Sequence, residues 1–170
     1  MTPLPDILAT IVAHKHEEVA AGYRGASIEE LKGRISDLED TPRGFERHLR
    51  EAVLSGWTAV IAEVKKGSPS KGIIREDFDP LEISGIYQDN GATCLSVLTD
   101  ETFFLGHLRY LALIREQVGL PLLRKDFIID PWQIYEARAA GADAILLIAS
   151  ILEPQQIVDF AGIARQINLD

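Results

Sequence analysis

The sequence predicts an α/β protein built on a parallel sheet, and three observations lead to this fold class. Segments typical of a strand and of a helix alternate four times along residues 57–170. Proline stands at the start of three of the four helices predicted there, where the first helical turn favours it. Polar or ionisable residues close three of the strands, as expected where a parallel sheet carries a site at the carboxyl ends of its strands.

Residues 1–56 precede the first strand and are predicted to form a helical extension. Apolar residues at helical spacing predict a first helix over 5–21, with Gly22 as its stop signal. Ser27 and Glu30 form a capping box, which opens a second helix running to about residue 35. Thr41-Pro42 is typical of a helix start, and the third helix is predicted to run from there to Gly56.

The remaining residues, 57–170, are predicted to be the first half of a (βα)8 barrel that forms a single domain with the extension. A complete barrel takes about 250 residues, whereas only four strand–helix units are present. No Gly-x-Gly-x-x-Gly follows the first strand, which argues against a dinucleotide-binding sheet. The predicted strands are 58–64, 93–98, 121–125 and 144–148, and the helices are 80–90, 108–118, 131–140 and 154–167.

Composition and charge exclude some functions and leave others open. Hydrophobic residues make up 46% and charged residues 25% of the 170 residues, which is typical of a globular domain. A net charge of −9 argues against a nucleic-acid partner, because phosphate binding favours a basic surface, but it allows a small anionic substrate. The single Cys94, the lack of a leader and the lack of a long apolar run predict a soluble cytoplasmic protein.

The end of the first strand is the strongest candidate for a catalytic site. Glu63 and Lys65 lie two residues apart, so in a strand they share a face, and a Ser/Pro/Gly loop follows them. A carboxylate and an amine at the mouth of a barrel can serve as an acid–base pair. The alternative is a structural salt bridge at a strand end, which is weak evidence for stability.

Two further features point to the same mouth. Lys125 shares a strand face with Leu123 and Phe127, and a lysine on an inward face is a candidate proton donor; alternatively, it extends outward to water. The loop 68–72 is predicted to be a lid or an anion-contacting segment, although Ser, Pro and Gly are also ordinary turn residues. Phe103 and Phe104 follow the second strand, where they line the mouth or pack in the core.

These motifs together resemble indole-3-glycerol phosphate synthase, and the resemblance covers the whole chain. They are IAEVKKGSPSKG at 61–72, LSVLTD at 95–100, FFLG at 103–106, PLLRKDFIID at 121–130 and QIYEARAAGADAILLI at 133–148. The resemblance implies a (βα)8 barrel of the ribulose-phosphate-binding type. It also implies the step of tryptophan biosynthesis that converts 1-(2-carboxyphenylamino)-1-deoxyribulose 5-phosphate into indole-3-glycerol phosphate, carbon dioxide and water, with no cofactor or metal.

The resemblance also implies roles for individual residues. Lys125 corresponds to the general acid at the substrate's ketone, and Glu63 and Lys65 to the pair that assists proton transfer. Ser68 corresponds to a serine of the lid. The implied pocket residues around the anthranilate ring are Phe104, Phe127 and Leu146, with Ser96 as a weaker candidate. The second half of the family's barrel, with its phosphate site and another catalytic glutamate, has no counterpart among these 170 residues.

Two other functions are left open by the residues. One is a non-catalytic half-barrel that associates with another half, because four strands of a barrel leave two unpaired edges. In that case the exposed inward layer is expected to include Val97 or Leu98, Leu123 and Leu146. The other is an aldolase-like enzyme in which Lys125 forms a Schiff base with a ketose phosphate.

Overall fold

A computed structural model describes residues 6–170, so the predicted start of the first helix at residue 5 lies outside the described residues. Three helices precede the first strand, and strands and helices then alternate. The helices are α1 (Asp6–Gly25), α2 (Ile28–Ser36), α3 (Phe45–Leu54), α4 (Pro80–Asp89), α5 (Arg109–Gln117), α6 (Pro131–Ala139) and α7 (Pro154–Gln166). The strands are β1 (Ile61–Val64), β2 (Gly67–Ser68), β3 (Gly72–Ile73), β4 (Cys94–Leu98), β5 (Leu122–Lys125) and β6 (Ala144–Ile145).

The main sheet has four parallel strands in the order β1-β4-β5-β6, which confirms the predicted α/β class. In the register, Glu63 lies beside Ser96, Ser96 beside Leu123, and Leu123 beside Ala144, so these residues share one face. The other face carries Val64, Leu95 and similar side chains that pack with residues of α4 to α7 in the main core. Strand order and one-sided helix packing together give part of a (βα)8 barrel.

The extension packs against the barrel rather than standing apart from it. Helix α3 places Phe45 against Cys94 and Ala144, where it closes the amino-terminal end of the inner face. Helix α2 and the loop before it pack Leu31 and Ala26 against α6. The Ser27 capping box predicted for α2 is confirmed, with the Ser27 N–H donating to Glu30 at 2.7 Å. None of the helices within residues 6–170 combines the length and apolarity needed to cross a membrane.

The predicted end of α1 at Gly22 is wrong, because the helix continues to Gly25. A Cβ at Gly22 would lie 2.4 Å from the Trp132 ring, so this glycine allows α1 to pack closely on α6. The same indole donates a hydrogen bond from Nε1 to the Ala26 carbonyl oxygen at 2.8 Å. Gly22 is therefore a contact position inside the helix.

The predicted start of α3 at Thr41-Pro42 is also wrong. Gly44 has φ +73° and lies outside the helical region, so the helix begins at Phe45. Arg43 is held to the base of the barrel, where its guanidinium donates to the carbonyl oxygens of Arg115, Val118 and Leu120. These tertiary hydrogen bonds fix the segment in a non-helical conformation.

The strands are shorter than predicted at both edges of the sheet. Only Ile61–Val64 of the predicted 58–64 and Ala144–Ile145 of the predicted 144–148 pair with a neighbour. β1 and β6 each have one neighbouring strand. On the outer side of β6, Asp170 bonds the backbone: its carbonyl oxygen accepts from the Ile145 N–H at 3.1 Å, and its N–H donates to the Asp143 carbonyl oxygen at 3.0 Å. Proline at the start of a helix is confirmed at Pro80, Pro131 and Pro154.

Candidate active site

Three predicted catalytic side chains meet at the carboxyl ends of the strands. Glu63 on β1 accepts a hydrogen bond from Lys65 Nζ at 2.5 Å through Oε1. Its other oxygen, Oε2, lies 3.3 Å from Lys125 Nζ at the end of β5. Each of the three side chains is about one-third exposed, at 33–35%. A carboxylate thus joins two ammonium groups on the open side of the sheet.

The electrostatics of Glu63 follow from this arrangement. Partial burial by itself would raise the pKa of the Glu63 carboxyl. The hydrogen bond and charge of Lys65 and those of Lys125 outweigh burial, and the pKa lies below its ordinary value. Tyr87 of α4 donates a hydrogen bond to the Glu63 carbonyl oxygen at 3.2 Å and so holds the strand backbone at this point. Glu63 is therefore an anchored carboxylate at neutral pH.

Lys125 faces the inner side, as the period of the strand predicts. Along β5 and its continuation, Leu122, Arg124 and Asp126 are buried, while Leu123, Lys125 and Phe127 are half-buried. Lys125 is not isolated on that face, because Glu63 reaches it. The alternation therefore places Lys125 on the inner face at the mouth and the buried Arg124 on the helix side.

Two of the predicted pocket residues form an aromatic pair. The rings of Phe104 and Phe127 lie 5.9 Å apart between centroids and are tilted by 41°. Phe103 turns elsewhere and packs edge-on against His14 of α1, at 5.6 Å between centroids. Of the two consecutive phenylalanines, one therefore pairs with the strand-end aromatic and the other binds the extension.

The remaining predicted pocket residues lie at separate points around the inner face. Ser96 is buried on β4 beside Glu63 in the register. Leu146 follows β6 directly and is half-buried. Ser68 belongs to the β2–β3 hairpin, in the segment predicted to be a flexible loop. Within residues 6–170, no hydrogen bond links the Ser68 side chain to Glu63, Lys65 or Lys125.

The hairpin after β1 contacts the loop after β4. A Cβ at Gly67 would lie 2.8 Å from the Gly72 carbonyl oxygen and 2.9 Å from Leu105 Cδ1, so only glycine fits between them. Leu105 has φ +55°, an unusual conformation for a leucine. The next residue, Gly106, packs against the Leu98 carbonyl, which a Cβ would approach to 2.3 Å. The segment that carries Phe104 is thus fixed by tight backbone contacts.

Sequence reasoning missed a second, buried charge cluster beneath this site. Arg124 donates to Asp126, Glu136 and Thr99, and Thr99 Oγ1 donates to Asp126 at 2.6 Å. Lys15 of α1 completes the cluster through ion pairs with Asp100 at 2.9 Å and Asp126 at 3.0 Å. The signal for Lys15 was its spacing, because it lies four residues from both Ile11 and Val19, which are buried on the same helix face.

Comparisons with known proteins establish the family of this chain. The sequence matches the family model described as indole-3-glycerol phosphate synthase over residues 8–170. The chain belongs to the indole-3-glycerol phosphate synthase family. An indole-3-glycerol phosphate synthase from Leptothrix cholodnii is 50% identical over 161 residues, which are 95% of this chain and 61% of that relative.

Family membership confirms the resemblance and the (βα)8 barrel class. The fold of the indole-3-glycerol phosphate synthase family is this barrel, and the four parallel strands described here form part of it. The chain spans 61% of the length of the relative from Leptothrix cholodnii.

Proposed function

We propose that this chain supplies the first-half catalytic residues of an indole-3-glycerol phosphate synthase. The substrate is 1-(2-carboxyphenylamino)-1-deoxyribulose 5-phosphate, and the products are indole-3-glycerol phosphate, carbon dioxide and water. The observation that supports this most strongly is the Glu63 carboxylate held between Lys65 and Lys125 at the carboxyl ends of β1 and β5. Such an arrangement provides proton donors and a proton acceptor within one hydrogen-bonded group.

Lys125 is proposed as the general acid. Ring closure joins a carbon of the anthranilate ring to the ketone carbon, and the ketone oxygen then needs a proton. Lysine carries a proton at neutral pH and can donate it to that oxygen. Loss of carbon dioxide leaves its electron pair in the ring system. The former ketone oxygen then accepts a second proton and leaves as water, while the neighbouring ring carbon loses a proton and the double bond of the indole forms. Glu63 and Lys65 are proposed to assist proton transfer in both ring closure and this loss of water.

Five other residues are proposed to bind the substrate. The tilted pair Phe104 and Phe127 offers an apolar wall to the anthranilate ring. Ser96 and Leu146 lie on the inner side of the sheet, where they complete the proposed pocket. Ser68, on the β2–β3 hairpin, is proposed to act within a lid that covers the bound substrate.

The remaining proposals concern organisation and surroundings. Residues 1–56 are proposed as the helical extension and 57–170 as the first barrel half within one domain, since three helices precede β1. A cytoplasmic location is proposed on the basis of Cys94, a buried cysteine without a second cysteine in the sequence to pair with. The proposal includes no cofactor, metal, nucleic-acid or membrane partner. It does include self-association through the outer edges of β1 and β6.

The test is formation of indole-3-glycerol phosphate by the natural full-length gene product that contains this chain. We expect turnover of the carboxyphenylamino-deoxyribulose phosphate without added metal or cofactor, and an inactive product would overturn the proposal. Borohydride added during turnover addresses the Schiff-base alternative. A covalent adduct at Lys125, found by mass spectrometry of the digested protein, would replace acid catalysis by imine chemistry.

A further inference from the structure

Lys15 is a buried charged residue that the proposed chemistry does not use. Its side chain is 2% exposed although it belongs to a helix of the extension. The ammonium lies 2.6 Å from Glu18, 2.9 Å from Asp100 and 3.0 Å from Asp126. Burial of a charged group is costly unless it is paired, and here three carboxylates surround the Lys15 ammonium. This arrangement indicates a specific role for Lys15.

The two aspartates that bind Lys15 each hold the backbone of an aromatic wall segment. Asp100 Oδ1 accepts hydrogen bonds from the N–H groups of Phe103 at 2.7 Å and Phe104 at 3.1 Å. Asp126 Oδ1 accepts from the Phe127 N–H at 2.8 Å. Lys15 Nζ therefore connects to the Phe104 backbone through the Asp100 carboxylate and to the Phe127 backbone through the Asp126 carboxylate.

The charged groups of the cluster shift one another's pKa values. Burial alone would raise the pKa of Asp126, but the charges of Arg124 and Lys15 and the hydrogen bond from Thr99 lower it to about 2. Burial alone would lower the pKa of Lys15, but Asp126, Asp100 and Glu18 raise it above its ordinary value. The Lys15 ammonium and the Asp126 carboxylate thus remain charged at neutral pH. Loss of the ammonium would leave two neighbouring buried carboxylates facing each other.

We infer that Lys15 is a positioning residue whose ammonium sets the separation of Asp100 and Asp126 and thereby the spacing of Phe104 and Phe127. The extension would then contribute to the pocket without touching the substrate. The effect on the rings is independent of the reaction, whereas the effect on turnover rests on the proposed function. The two effects are therefore measured separately.

The first measurement uses the natural full-length gene product labelled with 4-fluorophenylalanine. Fluorine resonances are assigned with Phe104→Leu, Phe127→Leu and Phe160→Leu, the last being a buried ring of α7 in the main hydrophobic core. In Lys15→Met we expect the Phe104 and Phe127 resonances to shift and broaden while that of Phe160 stays unchanged. Glu18→Gln is the matched control, since Glu18 binds Lys15 but no aromatic backbone, and all three resonances should keep their positions.

Three results of the fluorine measurement would overturn the inference. Unchanged Phe104 and Phe127 resonances in a folded Lys15→Met protein would show that the ammonium does not set the ring spacing. A shift and broadening of the Phe160 resonance as well would show that Lys15 stabilises the whole fold rather than the two rings. For Lys15→Ala, propylammonium supplies the missing carbons and charge, so recovery of both wall resonances with propanol as well as with propylammonium would assign the effect to packing.

The second measurement is the kinetic split in Lys15→Met. A displaced aromatic wall weakens binding of the ring in the ground state and transition state alike, so KM should rise roughly tenfold while kcat changes less than about threefold. An equal fall in kcat and kcat/KM would place Lys15 in the chemistry and overturn the positioning role. If the parent protein makes no indole-3-glycerol phosphate, the proposed function fails while the fluorine spectra still decide the inference.

Discussion

The Glu63 carboxylate on β1 lies 3.3 Å from the Lys125 ammonium on β5, although β4 runs between their strands. Neighbouring strands are about 4.8 Å apart, so the two backbones are separated by roughly twice that distance. The residue beside Glu63 on the intervening strand is Ser96, whose side chain is buried and much shorter than those of Glu63 and Lys125. The site therefore depends on two long side chains that converge over a short one.

Lys125→Ala in the natural full-length gene product should abolish indole formation with little loss of stability. General acid catalysis typically contributes about 10²–10⁴-fold to a rate. The Lys125–Glu63 ion pair is about one-third exposed, and pairs of this kind contribute little to folding. Turnover and urea unfolding are measured beside Lys32→Ala, a lysine of α2 that pairs with Glu29. Turnover within about tenfold of the parent would rule out the acid role.

Glu63→Gln should lower kcat more than it raises KM. Glutamine keeps the shape and a hydrogen-bonding oxygen but loses the charge and the proton acceptor. An interaction that strengthens only in the transition state affects the rate rather than uniform binding. Steady-state kinetics of Glu63→Gln are compared with Glu29→Gln, an exposed glutamate with its own lysine partner. A raised KM with unchanged kcat would contradict the role in proton transfer.

The residues that face the inner side of the sheet could be predicted from the sequence. Side chains alternate between the two faces of a strand, and parallel strands all end at the same edge of the sheet. Glu63 and Lys65 share a face by their spacing, and Lys125 joins them because the carboxyl ends of parallel strands meet at one edge. The strand pattern alone did not decide whether Val97 or Leu98 faces the inner side. The register resolves them: Leu98 lies beside Lys125 and Val97 beside Arg124 on the helix side.

The errors arose where tertiary contacts override local signals. Gly22 has the composition of a helix stop, but the Trp132 ring occupies the space that a side chain would need. Thr41-Pro42 has the composition of a helix start, but the hydrogen bonds of Arg43 to the barrel base hold the segment out of a helix. The spacing of Lys15 places it on the buried face of α1 but does not indicate its carboxylate partners, which come from strand ends about 85–110 residues away in the sequence.

Gly22→Ala should destabilise the protein, whereas Gly33→Ala should not. A methyl group at Gly22 would lie 2.4 Å from the Trp132 ring, so α1 must move away from α6, at a cost of about 1–3 kcal/mol. Gly33 lies in α2 with no atom within 4 Å of an added Cβ, so alanine there should stabilise by about 0.5–1 kcal/mol. Urea unfolding followed by circular dichroism measures both. Equal effects of the two substitutions would show that α1 is not packed closely on Trp132.

Acid should weaken the fold through Asp126. Its pKa is about 2 in the folded protein, below the ordinary value of 3.8, so the ionised carboxylate stabilises the fold above about pH 4. That stabilisation, on the order of 2 kcal/mol, is lost as the pH falls from about 4 to about 2. The free energy of unfolding is measured across this range for the parent, Asp126→Asn and the exposed control Asp77→Asn. Asp126→Asn should lose part of the acid slope, and an unchanged slope would contradict the role of this carboxylate.

The 170-residue chain studied alone should be inactive and should associate. β1 and β6 each have a neighbouring strand on one side only. Large apolar side chains from the end of α3 to β1 are exposed, Leu54 at 85%, Trp57 at 75% and Ile61 at 48%. Each such side chain left in water forgoes roughly 1.5–3 kcal/mol, against a typical domain stability of about 5–15 kcal/mol. Sedimentation at low micromolar concentration should show dimers or larger species. Trp57→Arg should shift them towards monomer more than Arg47→Ala, a substitution at an exposed position of α3. Because unpaired strand edges and uncovered apolar surface act together, a stable, cooperatively unfolding monomer that makes indole-3-glycerol phosphate would show that these four strands need no further barrel wall.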